Sequence, residues 1–259
     1  FEIKMQSEGG LKNTICGSIL ILIFEAIGTA LLALNYNTGV GSWCGFLMAA
    51  YMTFILGLRI SGSHFNPAIT LAFMLRKHVG RFSRVLGIAY WIFQFGGAFG
   101  GAMLSWWFTL QPGFLGLTGI NDPDQSQGAY IVSACVAETL GSMLLTFLYL
   151  TQTENSTKLT QDPAIITLVL AATYTAAIIF CGPPFYSGVA CLNPALGLMI
   201  SIVMLLDGNT QGITWFWVYL CFPFAGALLG IVFHEMIFVK VQDTVQDQED
   251  KNDGLLDGQ

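Results

Sequence analysis

Six stretches of this sequence are apolar for long enough to cross the hydrocarbon core of a membrane, which takes about 20 helical residues. Hydrophobic residues make up 54% of the chain and charged residues 10%, whereas soluble domains carry about 25% charged residues. The chain is therefore expected to form one bundle of membrane-spanning helices. The predicted spans are residues 15–36, 42–60, 82–108, 129–150, 163–182 and 213–239.

Two further apolar segments, residues 66–76 and 193–206, each open with Asn-Pro-Ala. At 1.5 Å per residue their helices are about 16 to 21 Å long, which is roughly half of a membrane. Asparagine is a favoured N-cap residue, and proline fits the first helical position. The sequence therefore predicts two half-helices whose first turns contain Asn66, Pro67, Ala68, Asn193, Pro194 and Ala195.

The two halves of the chain are related by an internal repeat. Three motif pairs keep their order, with Glu25 aligned to Glu138, Asn66 to Asn193 and Gly97 to Gly226. Each repeat holds three spans, an odd number, so the second repeat is inserted upside down relative to the first. The half-helices then enter from opposite sides and meet near the membrane centre, where inverted repeats with broken helices place their sites.

Two helix N-termini that meet at mid-membrane predict a site without ionised side chains but with a positive electrostatic potential. Each helix start carries about half a positive charge. If the side-chain oxygens of Asn66 and Asn193 cap their helices, each amide NH2 is left to face a cavity. A water molecule held there turns its hydrogens outward and interrupts a proton wire, while cations lose hydration near two positive ends. Small neutral solutes lose little by comparison.

The basic residues predict which side of the membrane each segment faces. All ten lie in the N-terminal segment, after spans 2 and 4, or in the C-terminal tail, so both termini are expected to be cytoplasmic. Six acidic against two basic residues in the tail predict a solvated, disordered segment. The resulting division is a cytoplasmic segment 1–14, a first repeat 15–110, an extracellular or lumenal loop 111–128, a second repeat 129–239 and an acidic cytoplasmic tail 240–259.

Together these motifs resemble the major intrinsic proteins, the family of aquaporins and aquaglyceroporins. The resemblance is carried by "SGSHFNPAIT", "CLNPA", "FEAIGT", "VAETLG", "YWIFQFGGAFGGA" and "WVYLCFPFAGALLG". It implies an all-α membrane fold with six transmembrane helices and two half-helices, assembled in the lipid bilayer as a homotetramer with one pore per subunit. It also implies that Glu25 and Glu138 accept hydrogen bonds from pore-loop amides and that His64 packs under the pore.

One residue departs from the family pattern. The family usually carries arginine directly after the second Asn-Pro-Ala, where it forms a selectivity filter, and this chain has Leu196. The other filter positions implied by family spacing are Phe46, Cys181 and Ala190; Phe180 and Cys191 are the alternatives to the last two. Such a filter is apolar and lacks the donors and the repulsive charge of arginine.

The motifs favour a passive channel for water or small uncharged solutes such as glycerol, in the plasma membrane or an internal vacuolar membrane. Two alternatives stay open: a structural protein whose pore is closed by Leu196 with Phe185 and Tyr186, and a secondary transporter. The sequence shows no catalytic triad, metal-ligand cluster or phosphate loop. We therefore expect no enzymatic activity, no metal, no cofactor and no nucleic-acid partner.

Overall fold

The computed structural model describes residues 11–39, 42–76, 82–113, 127–182 and 190–256, and every regular element within these ranges is helical. Asn-Pro and Asp-Pro pairs begin three of the helices, because the first side chain accepts a backbone N–H and the proline lacks one. In chain order the helices are α1 (Leu11–Gly39), α2 (Trp43–Gly57), α3 (Pro67–Leu75), α4 (Arg84–Thr109), α5 (Gln127–Thr153), α6 (Pro163–Cys181), α7 (Pro194–Leu206), α8 (Gln211–Thr214), α9 (Phe216–Phe233), a π-helical turn (His234–Phe238) and α10 (Val239–Leu256).

Five of the six predicted spans are helices long and apolar enough to cross a membrane. The second predicted span, residues 42–60, is shorter than expected. Its helix α2 has 15 residues, about 22 Å at 1.5 Å per residue. Residues 58–61 form turns instead of further helix, where the chain bends toward the first half-helix. The predicted all-helical membrane fold is confirmed.

The outer surfaces of the helices are apolar. Met52 is 64% exposed, Ile92 65% and Trp107 72%, although such side chains would be unfavourable in water. The interior holds small residues and buried aromatic rings, among them Tyr36, Tyr90, Tyr149, Tyr174 and Tyr219. This inside-out distribution fits a multi-pass membrane protein, in which lipid covers the outer faces.

Each repeat is built on one close helix crossing, α1 with α4 and α5 with α9. A Cβ placed on Gly97 would lie 2.1 Å from the carbonyl oxygen of Ala26, and one on Gly226 would lie 2.2 Å from that of Thr139. The two crossings use equivalent positions of the two repeats. Glycine is needed at both because the backbones approach too closely for any side chain.

The C-terminal segment differs from the expectation. The tail was predicted to be disordered from residue 240, whereas α10 continues as a helix to Leu256. It follows α9 directly through the π-helical turn, so the membrane-spanning helix extends into the charged segment. Loop residues 114–126 and 183–189, including Phe185 and Tyr186, and residues 1–10 lie outside the described residues.

Candidate functional site

The two half-helices α3 and α7 begin as their Asn-Pro pairs predict. Asn66 has extended backbone and its Oδ1 accepts the N–H of Ala68 at 2.9 Å. Asn193 does the same, and its Oδ1 accepts the N–H groups of Ala195 at 3.0 Å and Leu196 at 3.5 Å. Both asparagines therefore cap their helices, with a proline following at the first helical position.

The half-helices meet through a reciprocal pair of hydrogen bonds. Asn66 Nδ2 donates to the carbonyl oxygen of Leu192 at 2.8 Å, and Asn193 Nδ2 donates to that of Phe65 at 2.9 Å. Each asparagine thus binds the residue that precedes the other asparagine. One of the two hydrogens on each amide is engaged in this junction, so at most one N–H of each asparagine remains for the cavity and not the whole NH2 group that we expect from the sequence.

The residues before the two asparagines share an unusual backbone conformation. Phe65 has φ of +47° and Leu192 has φ of +57°, the left-handed region that side chains with a Cβ disfavour. Two glycines give their side chains room: a Cβ on Gly28 would lie 2.2 Å from the Phe65 ring, and one on Gly141 would lie 2.4 Å from Leu192. These contacts hold the turn that leads into each half-helix.

Glu25 and Glu138 bind the backbone of the two turns. Glu25 accepts the N–H of His64 at 3.1 Å and of Phe65 at 2.8 Å. Glu138 accepts the N–H of Cys191 and of Leu192, both at 2.7 Å. Both carboxyl groups are fully buried, and each satisfies two donors that the irregular backbone leaves without a helical partner. The expected hydrogen bonds to the pore-loop amides are present.

His64 is enclosed by aromatic rings. Its ring lies 4.2 Å from that of Phe73, 5.2 Å from Phe82 and 5.3 Å from Tyr90, centroid to centroid. Its Nδ1 lies 3.2 Å from Thr70 Oγ1. Within the described part of the chain no group of three or more His, Cys, Asp or Glu side chains is arranged to hold a metal ion.

A narrow cavity lies at the junction of the half-helices. It has room for about one water molecule. Both capping asparagines and His64 are among its lining residues, and the wall is mostly apolar and aromatic. The lining residues are Leu32, Phe54, His64, Asn66, Ile69, Leu145, Tyr149, Tyr174 and Asn193.

The four predicted filter residues are all buried. Phe46 is 1% exposed, Cys181 3%, and Ala190 and Leu196 0%. The alternative for α6, Phe180, is 66% exposed and points to the outer surface, so Cys181 is the inward residue of that pair. Cys191, the alternative to Ala190, is also fully buried.

Three aromatic residues of the cavity wall, Phe54, Tyr149 and Tyr174, were not singled out from the sequence. Phe54 of α2 and Tyr174 of α6 both line the cavity, and the Tyr174 hydroxyl donates to the carbonyl oxygen of Cys191 at 3.3 Å. A signal was available in the spacing. Phe54 follows Phe46 by eight residues and Tyr174 precedes Cys181 by seven, which places each pair on one helix face.

A buried charged cluster lies at the far end of α3 from the cavity. Arg76 Nη1 lies 3.5 Å from Glu154 Oε1, and the guanidinium sits 4.3 Å from the centre of the Phe73 ring. Burial lowers the pKa of Arg76 from its usual value, and the carboxylate of Glu154 counters that effect. His234 Nε2 lies 3.8 Å from Glu154 Oε2. His234 is fully buried, and its ring lies 6.3 Å from that of Phe147 of α5.

Comparison with known proteins agrees with this architecture. The chain is 31% identical to the probable aquaporin NIP4-2 of Arabidopsis thaliana, over 86% of this chain and 78% of that protein. It is 25% identical to the probable aquaporin TIP1-2 of Oryza sativa subsp. japonica, over 86% and 84%. The crystal structure of the aquaglyceroporin from Plasmodium falciparum shares the fold, with a TM-score of 0.68 and 19% identity, over 88% of this chain and 99% of that one.

The match to the family as a whole covers most of the chain. A model of the family described as "Major intrinsic protein" matches residues 10–234, a range that includes both half-helices and both binding glutamates. This range ends at the π-helical turn, so α10 lies beyond it. The family match, the 31% identical relative and the shared fold lead to one conclusion: this chain belongs to the major intrinsic protein family.

Proposed function

We propose that this protein is a passive transmembrane channel for water or small uncharged solutes such as glycerol, and that it excludes ions and protons. The observation that carries this proposal is the meeting of two half-helices, each capped by a neutral asparagine, at a cavity that both asparagines line. Family membership and the aquaporin relatives support a channel for water or small solutes. Such relatives are channels and not enzymes.

Cation exclusion follows from the two helix ends. Each N-terminus carries about half a positive charge, and both point at the same cavity. The intramembrane carboxylates Glu25 and Glu138 bind backbone amides and are not among the residues that line the cavity. A cation entering the cavity therefore loses hydration without gaining an anionic partner.

Proton exclusion follows from the remaining amide hydrogens. Asn66 and Asn193 each hold one N–H in the junction and keep one for a passing water molecule. A water oxygen that accepts from both amides directs its own hydrogens away from the centre in both directions. The chain of hydrogen bonds along which protons hop is then interrupted at this point.

The outer part of the path is proposed to be an apolar filter made of Phe46, Cys181, Ala190 and Leu196. Without an arginine in this set, ion exclusion depends on the central helix ends alone. We further propose that the protein assembles as a homotetramer with both termini in the cytoplasm, in the plasma membrane or an internal vacuolar membrane. The family resemblance and the distribution of lysine and arginine support these assignments.

A closed pore is the second candidate, because the cavity is narrow and Leu196 is fully buried. Proteoliposomes containing the purified protein separate the two in a stopped-flow light-scattering experiment. Vesicles shrunk with sucrose report water permeability, and those shrunk with glycerol or urea report solute entry. A channel gives osmotic shrinkage faster than empty liposomes with low temperature dependence. Permeability equal to that of empty liposomes for every solute would overturn the proposal.

Gradient-coupled, saturable uptake would instead indicate a secondary transporter. That alternative is disfavoured by the position of the two intramembrane glutamates. Coupling ions are usually held by carboxylates that line the site, whereas both carboxyl groups here are hydrogen-bonded to the turns before the half-helices.

A further inference from the structure

Two aromatic rings from different repeats meet at the centre of the molecule. Phe54 of α2 and Tyr174 of α6 lie with ring centroids 6.4 Å apart and planes at 85°, an edge-to-face contact. Both rings line the cavity that contains Asn66 and Asn193. The wall of this cavity therefore combines the two aromatic rings with the two capping asparagines.

Each of the two rings also packs against another aromatic residue. Phe54 stacks on Phe65, with centroids 6.0 Å apart and planes at 19°. Tyr174 contacts the ring of Phe46 at 5.7 Å, and its hydroxyl donates to the carbonyl oxygen of Cys191 at 3.3 Å. Phe54 is 3% exposed and Tyr174 1%. Neither ring has free space to swing into, so the constriction is a fixed part of the packed core.

We infer that the Phe54–Tyr174 pair is the size-selecting element of this channel, and that it admits water but excludes glycerol. The inference rests on the proposed channel function and narrows its substrate. The cavity between the rings and the amides has room for about one water molecule. Glycerol is wider, with three carbons, and would have to leave its hydroxyl groups against ring faces that accept hydrogen bonds poorly.

The inference separates size selection from the missing arginine. Leu196 makes the outer filter apolar, a change that by itself favours passage of larger neutral solutes. The aromatic pair lies deeper, beside the asparagines.

The test compares four proteins in proteoliposomes: wild type, Phe54→Ala/Tyr174→Ala, Tyr174→Phe and Met52→Ala/Leu168→Ala. Met52 and Leu168 lie on the exposed faces of the same two helices, at 64% and 43% exposure, so the last protein is the matched control. Phe54→Leu/Tyr174→Leu serves as a milder pair if the alanine pair does not yield a monodisperse protein in detergent. Water and glycerol permeability are measured for each by stopped-flow light scattering.

The wild type is expected to conduct water and to show glycerol permeability equal to empty liposomes. The Ala/Ala protein is expected to raise glycerol permeability at least about tenfold while changing water permeability less than about threefold, because only the wider solute is limited by the rings. Tyr174→Phe keeps the ring and should stay closed to glycerol, as should the Met52/Leu168 control.

Each other result has a distinct meaning. Glycerol conduction by the wild type, or continued exclusion by both the Ala/Ala and Leu/Leu proteins, would overturn the inference and leave the channel function intact. Water conduction only after the rings are removed would overturn both the proposed open channel and the inference that the ring pair admits water. No flux through any of the proteins would overturn both.

Discussion

Gly97 lies against Ala26 so closely that a single methyl group does not fit between α4 and α1. A Cβ on Gly97 would be 2.1 Å from the Ala26 carbonyl oxygen, and the same relationship recurs at Gly101 and Ala30. The neighbouring residues Gly96 and Gly100 meet nothing within 4 Å. Gly97 and Gly101 therefore leave no room for a side chain, whereas the neighbouring positions 96 and 100 do.

Gly97→Ala is expected to destabilise the protein by about 1–3 kcal/mol, because the helices must separate to accommodate the methyl group. Gly96→Ala is the control and should be neutral or stabilising by about 0.5–1 kcal/mol, since alanine favours the helix over glycine. The stability of both variants is measured by thermal unfolding in detergent, with size-exclusion chromatography to detect the folded protein that remains. Equal losses of melting temperature in the two variants would contradict the close crossing.

Glu138→Ala should lower stability more than Glu138→Gln. Alanine leaves the N–H groups of Cys191 and Leu192 buried without their acceptor, a cost of about 1–3 kcal/mol for each donor. Glutamine keeps one acceptor oxygen, so its loss should be about half as large. Val136→Ala, on an exposed position of the same helix, controls for changes in α5 itself. The measurement is the melting temperature in detergent.

If Glu138 were instead a proton-relay group, Glu138→Gln would change proton flux while the melting temperature stayed near that of the wild type. If Glu138 instead serves to hold the backbone turn before α7, we expect the opposite pattern. Stability falls, and the proton permeability of the surviving folded protein remains that of empty liposomes.

The Arg76–Glu154 pair offers a test by double substitution. Removing the guanidinium leaves a carboxylate that is 2% exposed without its arginine partner, so Arg76→Leu is expected to cost about 3–5 kcal/mol. Arg76→Leu/Glu154→Leu should recover most of that loss, because no buried carboxylate then lacks its arginine partner. The melting temperatures of Arg76→Leu, Glu154→Leu and the double variant give the coupling energy between the two side chains. Additive losses would show that the two side chains do not stabilise each other.

Much of the fold follows from local chemistry in the sequence. Long apolar runs predict spans, and Asn-Pro predicts where each half-helix begins, because capping depends on residues only a few positions apart. The inverted repeat is visible because Glu25 and Glu138, or Gly97 and Gly226, keep equivalent surroundings in both halves. Sequence also predicts that these glycines allow close packing, without indicating which backbone lies opposite.

The rest of the site depends on contacts between residues far apart in the chain. The bond from Asn66 to the carbonyl of Leu192 joins residues 126 positions apart, and no local pattern indicates that it uses one amide hydrogen. Phe54 and Tyr174 belong to a chain with 20 phenylalanines and 8 tyrosines, most of which serve packing. The helical tail was missed because charge indicates solvation but does not exclude continuation of an existing helix.

Asn193→Asp tests the amide donor without removing the helix cap, because aspartate is as good an N-cap residue as asparagine. The variant loses the N–H bonded to the Phe65 carbonyl and places a carboxylate beside the cavity. We expect α7 to remain folded, water permeability to fall, and cation or proton leakage to appear. Asn209→Asp, in the turn after α7, introduces the same charge outside the cavity lining and should leave all three permeabilities unchanged.

The central claim is that two neutral amides at the ends of opposed half-helices let water pass and stop protons. It is tested most directly by measuring water and proton permeability in the same wild-type proteoliposomes, with a trapped pH-sensitive dye and a potassium diffusion potential to drive protons. We predict water permeability about tenfold or more above empty liposomes, with proton permeability no higher than theirs. Proton flux that rises together with water flux, or water flux no greater than that of empty liposomes, would contradict the claim.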